Sequence, residues 1–310
     1  MQYTKLGRSN TTVSRICLGT NNFGGQLGEE QASKVIRAAV DAGINFIDTA
    51  NVYVNGRAEE IIGNSMKGDR GRVVIATKMG YGMPGEPEGI NLTRGNVLAK
   101  ADESLRRLQT DHIDLYYLHG FDPNVGLEES LGAMNQLVND GKVWQVGVSN
   151  FSAAQLGEAM RICEENDFAK PMAIEPRFNL MVRDAEKELF PLSLKLGLGV
   201  VTYSPLAGGF LAGKYSKGAE PPEGTRAAFS PGYWKRYNVD ENFAKLEVLS
   251  NIARDSGLPL ATLAVAWVLS KPAVTAPIIG ASHPGQVGEN CRALEAKVPS
   301  QVMAKLDSVA

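Results

Sequence analysis

Long apolar runs, an excess of either charge, and paired cysteines are all scarce in this 310-residue chain. Lys and Arg number 32 against 34 Asp and Glu, a formal net charge of −2, and no long block of one sign occurs. That balance gives no basis for binding nucleic acid, an anionic membrane or an acidic partner surface. The most apolar stretch, LPLATLAVAWVLS, is too short to span a bilayer and reads as a buried helix. The opening MQYTKLGRSN has no apolar targeting segment, which predicts a cytoplasmic protein. Cys17, Cys163 and Cys291 are odd in number, far apart and outside any CxxC spacing, so they fit buried thiols in a reducing compartment rather than disulfides or a metal site. None has the charged or Gly-rich setting that favours a reactive thiolate. Repeats at the solenoid scale and low-complexity segments are also missing.

What is present is a recurring alternation. Eight short runs, RICLGT, INFIDT, RVVIATK, IDLYYLHG, VWQVGVSN, MAIEPRF, GVVTYSP and TAPIIGAS, are mostly rich in Val and Ile without clean polar alternation. Parallel strands covered on both faces read this way. Between them EEQASKVIRAAVDAG, TRGNVLAKADESLRRLQ, LEESLGAMNQLVNDGK and SAAQLGEAMRICEEN repeat apolar residues at three and four, the helical period. Thr93 and Ser152 stand where N-caps belong, and DAG and NDG place a glycine just past a helix end. Eight strands alternating with helices in one domain over residues 1–310 predict an α/β fold of the (β/α)8 barrel type. A doubly wound open sheet is the competitor. Its GxGxxG turn is not found, because LGTNNFGGQLG has the wrong glycine spacing after the first strand. Ahead of that strand, YTKLGRSNTTVSRI reads as a β-hairpin turning at Ser9 and Asn10 and closing the barrel floor. Residues 207–242, dense in Gly and Pro with aromatics among them, read as one long loop forming a wall or lid over a site.

Barrel chemistry sits at the carboxyl ends of the strands. Strand two ends at Asp48, strand three at Lys78 and strand four at His119, and Tyr53 follows Asp48 by five residues. Neighbouring strands lie about 4.8 Å apart, so these ends share one patch. Singly, each residue has an ordinary explanation: a turn acid, a surface lysine, a satisfied histidine, a packing tyrosine. Together they predict a Lys78–Asp48 pair whose retained charge lowers the Tyr53 phenol from its usual value near 10, making it a general acid.

The chain resembles the aldo-keto reductases along nearly its whole length. KLGRSNTTVSRICLGTNNFGG, DTANVYVNGRAEEIIG, TKMG, DLYYLHGFDP, GVSNF, YSPLAGGFLAGKY and PIIGASHPGQVGEN occur in the family's order. The resemblance implies a (β/α)8 fold, a nicotinamide cofactor held without a Rossmann domain, and reduction of aldehydes or ketones to alcohols, an alcohol dehydrogenase (NADP+) type of activity. It puts Asp48, Tyr53, Lys78 and His119 on the catalytic tetrad. Cofactor positions carried over are Gly19, Thr20, Ser149, Asn150, Glu175 and Tyr203 around the nicotinamide. Ser204, Leu206, Gly208 and Lys214 follow along the pyrophosphate, with Gly280, Ser282, Gln286, Glu289 and Asn290 at the adenosine.

Two departures bear on the cofactor. Glu175 stands where relatives have Gln beside the carboxamide, which predicts a tilt toward the oxidised form. His283 follows GAS where Arg is frequent, and a mostly neutral His grips a 2′-phosphate weakly. NADP(H) is the expected cofactor, with NAD(H) left open. Phe23, Tyr81, Phe121, Phe178, Tyr233 and Trp234 are candidate walls for an apolar or aromatic carbonyl substrate. Two rivals keep the barrel: a cofactor-binding regulatory subunit resembling potassium-channel β subunits, and an aldolase-type enzyme using Lys78 as a Schiff-base nucleophile. Monomer and homo-oligomer are both compatible with the sequence.

Overall fold

Eight parallel strands close into a barrel in the computed structural model, which describes residues 1–86 and 88–309. A separate antiparallel hairpin comes first, β1 (Tyr3–Lys5) and β2 (Thr12–Ser14), with Lys5 opposite Thr12. The barrel strands are β3 (Cys17–Gly19), β4 (Phe46–Asp48), β5 (Val74–Met79), β6 (Ile113–Leu118), β7 (Val143–Ser149), β8 (Ala173–Glu175), β9 (Gly199–Tyr203) and β10 (Val274–Gly280). They pair in chain order, and β10 closes the ring against β3. Six fall within one of the eight apolar runs, and β5 and β10 overrun theirs by one residue, at Met79 and Val274. The missing polar alternation has a direct cause, since strand side chains point alternately into the barrel and out against the helices.

The inward set is a compact core: Cys17, Phe46, Ala76, Leu115, Tyr117, Ala173, Val201 and Ala276 pack together. Leu6 and Val13 join them from the hairpin, both fully buried, so the hairpin plugs the amino-terminal end as expected. Arg8 N–H donates to Gly197 O at 2.8 Å and ties the plug to the turn entering β9. Leu6→Ala would open a void there at about 2–5 kcal/mol. With one end stoppered by aliphatic side chains, polar chemistry is confined to the other.

The outer layer shows the same logic. In α1 (Glu29–Asp41) the buried Ala32, Val35, Ile36 and Ala39 form one stripe. Gly43, at φ 85°, stands just past the helix end in a conformation that favours glycine. α2 (Arg57–Ser65) and α3 (Arg94–Leu108) follow, then α4 (Leu127–Asn139) and α5 (Ala153–Glu165). Ser152 caps α5 in a reciprocal box with Gln155, whereas Thr93 occupies the N-cap position of α3 without a capping bond and donates to Asn91 Oδ1 instead. α6 (Leu189–Leu196) leads to β9. Residues 207–242 are not one loop: they hold a 3-10 segment and the short helices α7 (Arg226–Phe229) and α8 (Pro231–Tyr237). α9 (Asp240–Ser256), α10 (Leu260–Leu269), α11 (Pro284–Cys291) and α12 (Ser300–Ser308) complete the chain. α10 is the apolar helix expected from LPLATLAVAWVLS, with Leu263 to Val268 all buried. Among the described residues no single helix is long and apolar enough to cross a membrane.

Candidate active site

Every barrel strand ends on, or one residue from, a position singled out in the sequence: Gly19, Asp48, Lys78, His119, Ser149, Glu175, Tyr203 and Gly280. The register brings them to one rim, with Gly19 opposite Asp48, Lys78 opposite Tyr117, Ser149 opposite Glu175, and Gly280 opposite Gly19. A cavity of about 800 Å³ opens there, and it is lined by all the nominated site residues but one. The exception is Lys78, fully buried beneath it.

Lys78 Nζ donates to Asp48 Oδ1 at 2.5 Å and to the Thr49 carbonyl at 2.8 Å, and Glu175 Oε1 lies 3.4 Å away. Burial works against the ammonium, but the carboxylates of Asp48 and Glu175 outweigh it and hold Lys78 protonated well above its usual range. Burial raises the Asp48 carboxyl too, and Lys78 opposes the rise. Lys78 Nζ stands 5.3 Å from the centre of the half-buried Tyr53 ring. Tyr53 itself is presented by a tight turn: the following Val54, Asn55 and Gly56 are all left-handed, at φ 46°, 57° and 85°. Left-handed geometry at a β-branched Val is costly, and such strain collects at functional sites.

The Tyr53 phenol departs from the sequence-based expectation. Its pKa is raised, not lowered: burial is the largest cause, Lys78 pulls the other way, and Asp48 and Glu175 add to the rise. A cation was visible in the sequence, but the enclosure that outweighs it was not. The resting phenol therefore keeps its proton.

His119 packs edge-on to Tyr53 at 6.1 Å and to Tyr81 at 5.0 Å between ring centres. Burial, and secondarily the charge of Lys78, lowers its pKa to about 3, so the imidazole is neutral at physiological pH. Its Nδ1 is buried without a hydrogen-bond partner.

Hydrogen bonds knit the rim. Tyr203 OH donates to Asn150 Oδ1 at 2.8 Å, Asn150 Nδ2 donates to the His119 carbonyl at 2.9 Å, and Ser149 OH donates to the Glu175 carbonyl at 3.0 Å. Ser282 and Gln286 bond one another at the far end, where Ser282 N–H donates to Gln286 Oε1 at 2.7 Å. Asn290 Nδ2 reaches back to the Gly280 carbonyl at 3.2 Å. Gly208, at φ 65°, faces Tyr233 so closely that a Cβ would meet the ring at 2.0 Å. Only glycine lets the chain turn here.

Residues 207–242 form a wall as expected, through Gly208, Lys214, Arg226, Phe229 and Tyr233. Arg226 and Arg292 also line the cavity and were not singled out in the sequence. Neither has a carboxylate within ion-pair distance among the described residues, and neither does Lys214. No local motif marks Arg292, which follows α11. Of the candidate aromatic walls, Phe23 and Phe178 belong to the core instead, the latter stacked on Trp267 at 5.1 Å, and Trp234 packs on Tyr215. Tyr81 and Tyr233 do border the site, and Phe121 lies edge-on to Phe151.

The residues present fit a nicotinamide dinucleotide. The cavity has the volume of a cofactor site, polar atoms without partners at its base, and cations without carboxylate partners along its wall. No group of His, Cys, Asp or Glu among the described residues could hold a metal ion. The cysteine thiols are all shifted upward by burial, which works against the thiolate a nucleophilic role needs.

Comparison with known proteins agrees with the barrel fold. The profile of the Aldo/keto reductase family matches residues 15–310. A probable voltage-gated potassium channel subunit beta of Oryza sativa subsp. japonica is 38% identical over 317 residues, covering 100% of this chain and 96% of the relative. The protein of the same description from Arabidopsis thaliana is 37% identical over 315 residues, covering 100% and 95%. The uncharacterized oxidoreductase YrpG of Bacillus subtilis (strain 168) is 38% identical over 321 residues, covering 100% and 96%.

Proposed function

The chain belongs to the aldo/keto reductase family, and from that premise we propose that it is an NADP(H)-dependent oxidoreductase reducing aldehydes and ketones to alcohols, with Tyr53 as general acid. The observation that carries this reading is the buried Lys78–Asp48 pair set beneath a protonated phenol, with a neutral imidazole beside it.

A reduced nicotinamide bound in the cavity supplies the hydride. Tyr53 gives its proton to the carbonyl oxygen as negative charge develops there. Lys78 stabilises the phenolate left behind, and Asp48 holds the ammonium in place. His119, neutral, orients and polarises the same oxygen by hydrogen bonding. Run in reverse, the same groups oxidise an alcohol. Tyr81 and Tyr233 favour aromatic or apolar carbonyl substrates of modest size. Lys214, Arg226 and Arg292 supply the positive charge a dinucleotide carrying an extra phosphate needs, in place of the weak grip of His283. NAD(H) is the alternative cofactor.

A second reading is favoured by the two plant relatives described as potassium channel subunits: a cofactor-binding regulatory subunit. Following absorbance at 340 nm with a reactive aromatic aldehyde, and NADPH or NADH at matched low concentration, separates the readings. Faster loss of NADPH supports the proposal, and faster loss of NADH moves the cofactor to NAD. Tight cofactor binding without turnover favours the regulatory reading.

A further inference from the structure

Lys78 is shared by more carboxylate than it can neutralise. Asp48 Oδ1 is 2.5 Å from the ammonium and Glu175 Oε1 3.4 Å, and none of the three side chains is more than 4% exposed. If all three ionise, one negative charge is left over in a place almost without water. Binding a proton costs far less than burying that charge.

Geometry assigns the proton. Asp48 holds the short ion pair, whereas Glu175 touches the ammonium at the looser distance and its Oε2 is buried with no hydrogen-bond partner. Among the described residues, Lys78 is the one cation that acts on Glu175. Asp48 on β4 and Lys78 on β5 share its network, Cys17 on β3 and Tyr117 on β6 lie within its field, and Tyr53 and Tyr203 add only phenols. Burial, and then the charge of Asp48, accordingly raise the Glu175 carboxyl well above the ordinary range. Glu175 also lines the cavity, so a proton leaving it has a route to solvent.

We propose that Glu175 is a redox-coupled proton store, protonated when the cavity holds a reduced, uncharged nicotinamide and deprotonated when it holds the oxidised, cationic ring. The inference rests on the cofactor reading above. The step is a simple ionisation: Glu175 carboxylic acid gives a carboxylate and one proton to solvent, and no electron moves. The new carboxylate is offset by the ring cation, as Asp48 is offset by Lys78. Glu175 thereby ties affinity for the oxidised cofactor to pH and leaves affinity for the reduced cofactor nearly independent of it. Carbonyl reduction makes the ring cationic and Tyr53 a phenolate, which leaves the net charge unchanged; the proton Glu175 then releases is matched by the one Tyr53 takes back, so the charge is again unchanged.

Isothermal titration at pH 7 in two buffers of different ionisation enthalpy counts the protons. The wild-type protein should release about one proton per site on binding NADP+ and almost none on binding NADPH. Glu175→Gln should bind both and release none, while Tyr53→Phe should keep the release and so exonerate the phenol. Below the Glu175 pKa, each unit of pH lowered should weaken wild-type NADP+ binding by up to about tenfold and leave NADPH binding level. Equal proton counts for the two redox forms in the wild type would overturn the proposal, whatever the stability of the variants. So would release that survives in Glu175→Gln. Failure of both NADP(H) and NAD(H) to bind at all would instead overturn the cofactor reading on which it rests.

Discussion

Thr77 and Lys78 are neighbours on β5, and each leads to a fully or almost fully buried carboxylate on an opposite side of the barrel wall. Thr77 points outward and donates to Glu59 Oε1 at 2.6 Å, and Arg107 Nε donates to Glu59 Oε2 at 2.6 Å. Both oxygens of that buried acid are matched, and the cluster fastens α2 to β5 and α3. Lys78 points inward to Asp48 and Glu175, one cation against two acids, under an open cavity. Burial is similar on both sides, but completeness of pairing is not. The acid that holds the scaffold has both oxygens paired, while Glu175 beside the cavity keeps one buried oxygen without a partner.

That contrast can be broken by experiment. Lys78→Met should be the most damaging change, because it leaves Asp48 buried without its cation beside a second buried acid: about 3–5 kcal/mol of stability by denaturant unfolding, together with at least about a 100-fold loss of carbonyl turnover. Glu59→Ala should cost about 3 kcal/mol by leaving Thr77 unpaired and Arg107 with only the looser contact to Glu103 at 3.4 Å, yet cofactor affinity measured by fluorescence should not move. A matching loss of affinity would erase the distinction between the clusters. Glu175→Gln should do the reverse and stabilise the protein by about 1 kcal/mol at pH 8. The sign follows from linkage: the folded-state pKa of Glu175 lies above its unfolded value of about 4.5, the folded state binds the extra proton, and wild-type stability falls as pH rises through that window. The advantage of the variant should therefore shrink as pH falls toward 4.5. The smallest effect concerns His119. With its pKa lowered to about 3, it should add no limb to the rate profile between pH 5 and 8, and a limb near 6.5 that disappears in His119→Gln would contradict its burial.

The barrel was legible in the sequence because strands covered on both faces leave runs such as RVVIATK and GVVTYSP that no amphipathic helix produces. The four proposed catalytic residues were legible because strand ends in a barrel converge, so Asp48, Lys78 and His119 could be brought together without coordinates. Less was readable where distance in space decides. α7 and α8 are short and set among Gly and Pro, so residues 207–242 read as loop. Phe23 and Phe178 looked like pocket walls because an aromatic at a strand end can turn either way, and packing against the core won. The direction of the Tyr53 shift depended on how much enclosure surrounds the hydroxyl, which composition does not carry. Glu175 could be nominated beside the cofactor, but its place within 3.4 Å of Lys78 depends on how far β5 and β8 face each other across the barrel.

Tyr53→Phe tests the central claim most directly, with NADPH affinity by fluorescence titration and aldehyde turnover at 340 nm measured on the same preparation. The account predicts turnover lowered by about 10²–10⁴-fold with NADPH affinity unchanged. Turnover preserved, or affinity and turnover lost together, would mean that Tyr53 is a structural residue and that the proton comes from elsewhere.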